Sequence, residues 1–109
     1  MIRRAAGLAL VLGGCAATEP STPPSPLTLM PAAGGLDVVG SGGREIGFGR
    51  ERPGAVESAI RVAGGSAEAV PCAAGRDGVR VDASLTMIFT GRTFTGWETD
   101  EAAAGTPCT

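Results

Sequence analysis

Glu98, Asp100 and Glu101 follow directly on Trp97, and a carboxylate pair beside a sugar-stacking indole is the equipment of glycoside hydrolysis. Arg44, Arg50 and Arg52, interleaved with Glu45 and Glu51, are a second candidate: three guanidiniums close in sequence can grip a carboxylate or a phosphate, such as a lipid headgroup or a cell-wall acid. The third is a set of three cysteines, Cys15, Cys72 and Cys108. Each has a plainer reading. The carboxylates stand beside Ala102-Ala103-Ala104-Gly105 and read as an acidic tail, Trp97 as a core or sheet-edge aromatic, and the charged cluster as a solvated loop with weak ion pairs.

The residue types that are missing narrow the chemistry further. All nine basic residues are arginine, and the chain has no His, Lys or Tyr. Without His there is no Ser-His-Asp or Cys-His catalysis, no usual zinc or haem ligation and no imidazole switch. Without Lys there is no Schiff base and no Walker-type phosphate loop. The stretch LDVVGSGG (Leu36 to Gly43) has the look of a dinucleotide turn, but Glu45 takes the place of the third glycine and no helix opens behind it. It reads as turn glycine. No metal and no cofactor is expected, and no catalytic residue is assigned.

Positioning any site falls to a body of modest size, since 109 residues make at most one domain. From Leu36 to Trp97 there are 17 residues of the Leu, Ile, Val, Phe, Met and Trp types, enough for one small core. A core that small benefits from a covalent staple.

At the N-terminus, Arg3 and Arg4 precede the apolar stretch Ala5 to Leu12, which is far shorter than the roughly 20 residues of a membrane-spanning helix. It reads as a signal segment. Leu12-Gly13-Gly14-Cys15 then resembles the lipobox of bacterial lipoproteins, with an aliphatic residue, two small ones and a cysteine. The resemblance implies cleavage before Cys15, lipidation of its thiol and anchoring of the mature chain in a membrane, since two or three acyl chains hold far more firmly than one. Ordinary secretory cleavage after Ala17 and a buried apolar segment are the competing readings. Without residues 1–14, seven arginines face eleven acids, a net charge of about -4. With no basic stripe, nucleic acid is not an expected partner.

If Cys15 carries lipid, Cys72 and Cys108 remain as one pair, and an oxidising periplasm would let them join. Two unrelated thiols are the alternative. Ala16 after the cysteine lacks the aspartate that lipoproteins of enteric bacteria use for inner-membrane retention, so the resemblance favours the periplasmic face of the outer membrane.

Residues 15–35, centred on Glu19-Pro20-Ser21-Thr22-Pro23-Pro24-Ser25-Pro26, read as a tether in which proline favours polyproline II. At roughly 3.1 Å per residue it would hold the body about 40–50 Å from the membrane. The body then spans 36–109. Leu36 to Val39 and Glu45 to Phe48 read as a hairpin about Gly40-Ser41-Gly42-Gly43. Pro53 opens a helix with Val56, Ala59, Ile60 and Ala63 facing in, Glu57, Ser58 and Arg61 facing out, and Gly64-Gly65 as the stop. Val79, Val81, Ala83, Leu85, Met87 and Phe89 alternate with Arg80, Asp82, Ser84, Thr86, Ile88 and Thr90, and the run should break near Asp82-Ala83-Ser84. A last strand covers Thr93 to Trp97.

The pattern implies an α+β fold, one helix packed on a small antiparallel sheet of about 4–5 strands. Leu85 to Trp97 resembles the final hairpin of small exported bacterial proteins, a resemblance that brings no activity with it. The expectation is a lipid-anchored envelope accessory that binds, assembles or supports, with an envelope protein as candidate partner and no enzymatic activity. The rival is a small hydrolase or ligand-binding enzyme working with carboxylates and arginine.

Overall fold

In the computed structural model, residues 27–109 are described; the leader 1–14, Cys15 and the tether as far as residue 26 lie outside them. The chain is built from neighbours pairing with neighbours. β1 (Thr28–Ala32), β2 (Gly35–Val39) and β3 (Glu45–Gly47) form an antiparallel sheet in sequence order. Helix α1 (Arg52–Ala63) follows. β4 (Glu68–Pro71), β5 (Arg76–Arg80), β6 (Thr86–Thr90), β7 (Thr93–Glu98) and β8 (Ala103–Gly105) then make a second antiparallel sheet, again in sequence order. The fold has the expected α+β character, but the expected sheet of 4–5 strands is replaced by two sheets, of three and five strands.

The first strand lies where the tether was expected. Thr28–Ala32 pairs residue for residue with β2, so 28–35 belong to the folded body. Pro31 masks this in the sequence. It is tolerated because β1 is a sheet edge, where a missing N–H breaks no ladder.

The Gly40-Gly43 stretch is the β2–β3 turn. Gly40, Gly42 and Gly43 all take positive φ, at 95°, 82° and 107°, a region that side chains disfavour. Ser41 closes the turn by donating to the Val38 carbonyl at 2.6 Å and accepting from the Arg44 N–H at 3.0 Å. These bonds close the stretch into a β2–β3 connection, with no helix opening behind the glycines.

Beyond β3 the chain turns at Phe48-Gly49, where Arg50 N–H donates to the Gly47 carbonyl (3.3 Å), and then joins the two sheets. Gly49 N–H donates to the Phe94 carbonyl (2.8 Å), Phe94 N–H to the Arg50 carbonyl (2.9 Å), and Arg52 N–H to the Arg92 carbonyl (2.7 Å). This segment occupies one half of the β7 edge, and β8 occupies the other.

Glu51 is the N-cap, still extended at φ -72° and ψ 147°, and Pro stands in the first turn as its fixed φ suits. Gly64 ends α1 in the left-handed conformation, its N–H on the Ile60 carbonyl. The ridge buried most deeply is Ala55 and Ala59, one turn apart; Val56 and Ile60, which the sequence pattern placed inward, are half-buried beside it. Small residues on that ridge let the helix approach closely.

Leu36, Val38 and Ile46 from the first sheet meet Val79, Val81, Leu85, Met87, Phe89, Phe94 and Trp97 from the second in one core, with Ala55 and Ala59 closing it. Phe94 is its centre, edge-on to Phe48 at 5.1 Å and beside Phe89 at 5.6 Å. The alternating run breaks where expected, at a turn in which Asp82 Oδ1 accepts from the N–H groups of Ser84 and Leu85 at 2.8 and 2.9 Å.

Strict alternation fails once, at a bulge. Ile88 pairs with Gly96 but Phe89 pairs with Phe94, leaving Thr95 as the extra residue of β7. The bulge lets Phe94 and Trp97, three positions apart, both face the core. Trp97 donates its Nε1–H to the Ala32 carbonyl at 2.7 Å, tying the β1–β2 turn to the second sheet. Replacing Trp97 by Phe should therefore cost about 1–3 kcal/mol, from the lost bond and the void, as measured by urea unfolding with the fluorescence of extrinsic dye.

The outer face of the second sheet is where the polar half of the alternation was expected, yet Ile88 is fully buried there. Its neighbours across the sheet are Gly78 on β5 and Gly96 on β7. After β8 the C-terminal residues cross this glycine-flanked row as a strap. A Cβ on Gly96 would collide with the Thr106 backbone, and one on Gly78 would lie 3.0 Å from Cys72 Sγ. Cys72 and Cys108 are joined, with Cα atoms 4.8 Å apart, and fasten the strap to the β4–β5 turn. Ala73 N–H donates to the Cys108 carbonyl (2.7 Å), and Arg76 Nη1 donates to the carbonyls of Pro107 (2.7 Å) and Thr109 (3.2 Å).

Candidate functional site

The structure disperses the carboxylates next to Trp97. Trp97 itself is 6% exposed and faces the core, so it offers no stacking platform. Glu98 Oε2 accepts from the Cys108 N–H at 3.2 Å and serves the strap. Asp100 and Glu101 ride a tight turn closed by Thr99, whose Oγ1 accepts from the N–H groups of Glu101 and Ala102 at 3.2 and 3.1 Å. What the sequence read as an acidic tail is thus a β7–β8 turn followed by a strand and the strap.

The three arginines separate into two places. Arg52, the first residue of α1, turns toward the second sheet, where Nη1 meets Asp77 Oδ2 at 2.9 Å and the guanidinium lies 5.3 Å from the Phe89 ring centre. It fastens the start of the helix to β5. Arg44 and Arg50 instead line one cleft of about 540 Å³ between the β2–β3 hairpin and α1. The cause is a change of backbone state at Glu51: spacing of two keeps side chains on one side of an extended chain, but α1 starts at Arg52 and sends that side chain elsewhere.

The cleft gains a third guanidinium that the sequence reading left on an outer helix face, Arg61. Ser58 stands one turn before it, and a spacing of three puts both on the same stripe of the helix. The periodicity of α1 carried that signal, but nothing in the chain order says which sheet residues the stripe would oppose. Glu45 is the one carboxylate lining the cleft, and Leu27, Val38, Ile46 and Val62 give it an apolar side. Arg50 reaches across the first turn of α1, with Nη2 3.7 Å from where a Cβ on Gly54 would sit.

Electrostatically the cleft brings three positive groups to one negative. Arg61 has a partner in Glu57 at 3.6 Å, but both side chains are more than two-thirds exposed, and such a pair holds weakly. Arg44 and Arg50 have no ion pair among the described residues. Such an arrangement can hold an oxyanion through forked N–H donors. No cluster of three His, Cys, Asp or Glu suited to a metal occurs among the described residues. No helix among those residues is long and apolar enough to cross a membrane.

Comparison with protein-family models, with curated proteins and with solved structures finds no match.

Proposed function

We propose that the protein is a lipid-anchored accessory of a bacterial cell envelope, held at the periplasmic face of a membrane through Cys15 and acting by binding. The observation that carries this reading is the Cys72–Cys108 pair. It takes up two of the three cysteines, so the remaining one is the cysteine that ends Leu12-Gly13-Gly14-Cys15. A disulfide also fits an exported body, because cytosolic thiols are kept reduced. The binding role rests on the arginine-lined cleft, whose donors suit recognition of an anion. An outer-membrane address follows from the residue after Cys15 by resemblance alone.

Expression of the full chain with Cys15→Ser tests the anchor. The unsubstituted chain should take up radiolabelled palmitate, fractionate with membranes and accumulate as its precursor under globomycin. The Cys15→Ser chain should take up no label and stay uncut. Normal maturation and membrane association of Cys15→Ser chains would sink the reading.

A further inference from the structure

The cleft between the β2–β3 hairpin and α1 has two unlike halves. One is set by Arg44, Arg50 and Arg61, the other by Leu27, Val38, Ile46 and Val62. The charged half holds two of the three guanidiniums, Arg44, Arg50 and Arg92, that have neither an ion pair nor a hydrogen-bond acceptor among the described residues. Arg76, by contrast, is committed to the strap, and Arg52 and Arg80 to acids. Three forked cations around one opening suit a tetrahedral oxyanion better than a carboxylate, because a phosphate has enough oxygens to engage more than one fork.

The apolar half says what must be attached to that phosphate. Leu27 is 40% exposed at the cleft wall, one of three large apolar side chains open to solvent among the described residues. A hydrated inorganic ion gains nothing from such a wall, whereas a short stretch of hydrocarbon beside a headgroup covers it. The third observation is position. Leu27, the first described residue, lies at this cleft, twelve positions after Cys15 in the sequence.

We infer that the cleft binds a phosphate-bearing amphiphile, the guanidiniums of Arg44, Arg50 and Arg61 holding the phosphate and Leu27 and Val62, over a floor of buried Val38 and Ile46, the adjoining hydrocarbon. This deepens the binding role proposed above, and membrane anchoring enters only as the reason such a ligand is at hand.

Calorimetric titration of the full chain tests this without reference to lipidation. The probes are a water-soluble short-chain phosphatidylglycerol, inorganic phosphate and a short-chain phosphatidylcholine. The phosphatidylglycerol should bind more tightly than either of the others, since phosphate alone lacks the hydrocarbon and choline adds a positive charge. Arg44→Gln and Arg50→Gln should each weaken it roughly tenfold, the scale of a lost charge-assisted hydrogen bond. Arg92→Gln, an equal change of charge outside the cleft, should leave it unchanged, and Leu27→Ser should weaken the lipid but not inorganic phosphate. All four positions are exposed, and far-ultraviolet circular dichroism checks that the variants keep their fold. Equal binding of inorganic phosphate and phosphatidylglycerol, or equal losses in Arg92→Gln and Arg44→Gln, overturns the inference. So does absence of phosphatidylglycerol binding, and none of these results bears on whether Cys15 is lipidated.

Discussion

Replacing Cys72 and Cys108 together by serine is expected to destabilise the body by about 4 kcal/mol and lower its melting temperature by roughly 15–30 °C. The estimate follows from loop closure. The two residues are 36 positions apart, and freeing that loop returns conformational entropy to the unfolded chain. A small domain has roughly 0.05–0.15 kcal/mol of stability per residue, so this loss takes from about a third to nearly all of what it has. The strap should suffer first. Without the bond, Thr106 to Thr109 are held by the Thr106 N–H on the Thr95 carbonyl, by the Ala73 and Arg76 contacts and by Glu98, of which the Arg76 and Glu98 bonds involve half-exposed side chains. Hydrogen exchange should then show early opening of Cys108 N–H and of the β6 amides beneath, while α1 stays protected. A variant that melts within a few degrees of the parent, with unchanged exchange at Cys108, would show that the strap is held without the disulfide.

That strap explains a good part of what could and could not be read along the chain. The helix was legible because its start and stop are local: Pro53 and Gly64 act through their own backbone. The β5–β6–β7 meander was legible because Val79 to Phe89 alternates and Asp82 makes a local turn. Ile88 was placed on the outer side of that alternation, which is right for direction and wrong for exposure. What covers it comes from eighteen or more positions further along, a distance over which hydrophobic period carries no information.

The strands that escaped the reading share a cause. β1 contains Pro31, β4 ends at Pro71, and β8 is Ala103-Ala104-Gly105, so none shows both strand-forming residues and a period of two. β1 and β4 are sheet edges, where pairing is satisfied from one side and composition is less constrained. The division into two sheets was hidden for a similar reason, being decided by the few bonds between Gly49–Arg52 and β7. The cleft was half legible. Arg44 and Arg50 stood out as neighbours in sequence, but Arg52 was grouped with them because the backbone turn at Glu51 is invisible to charge spacing, and Arg61 was missed because it arrives from α1.

The second large effect tests the strap from the sheet side. Gly96→Ala should destabilise the body by about 2–4 kcal/mol, above the common range for one added methyl group in a packed interior. Three features raise the cost. The new Cβ would meet backbone atoms of Thr106 and no movable side chain tip. Thr106 N–H is itself bonded to the Thr95 carbonyl at 2.8 Å, so lifting the strap breaks a ladder bond as well. The strap also cannot swing far, because Cys108, two residues on, is tied to Cys72. The clash and the disulfide are thus coupled, which sets a sign for the double-mutant comparison. In the background lacking both cysteines the strap can yield, and Gly96→Ala should cost less than half as much there as in the parent. Gly91→Ala serves as the contrast: Gly91 has open space around its Cβ position and a φ of 61°, so its penalty is backbone strain of about 1 kcal/mol and should be the same with or without the disulfide. Equal costs for Gly96→Ala in the two backgrounds, by urea unfolding, would mean that the sheet and not the strap absorbs the added methyl group. In that case Ile88 is kept from water by the flanking strands, and the disulfide acts on the unfolded chain alone.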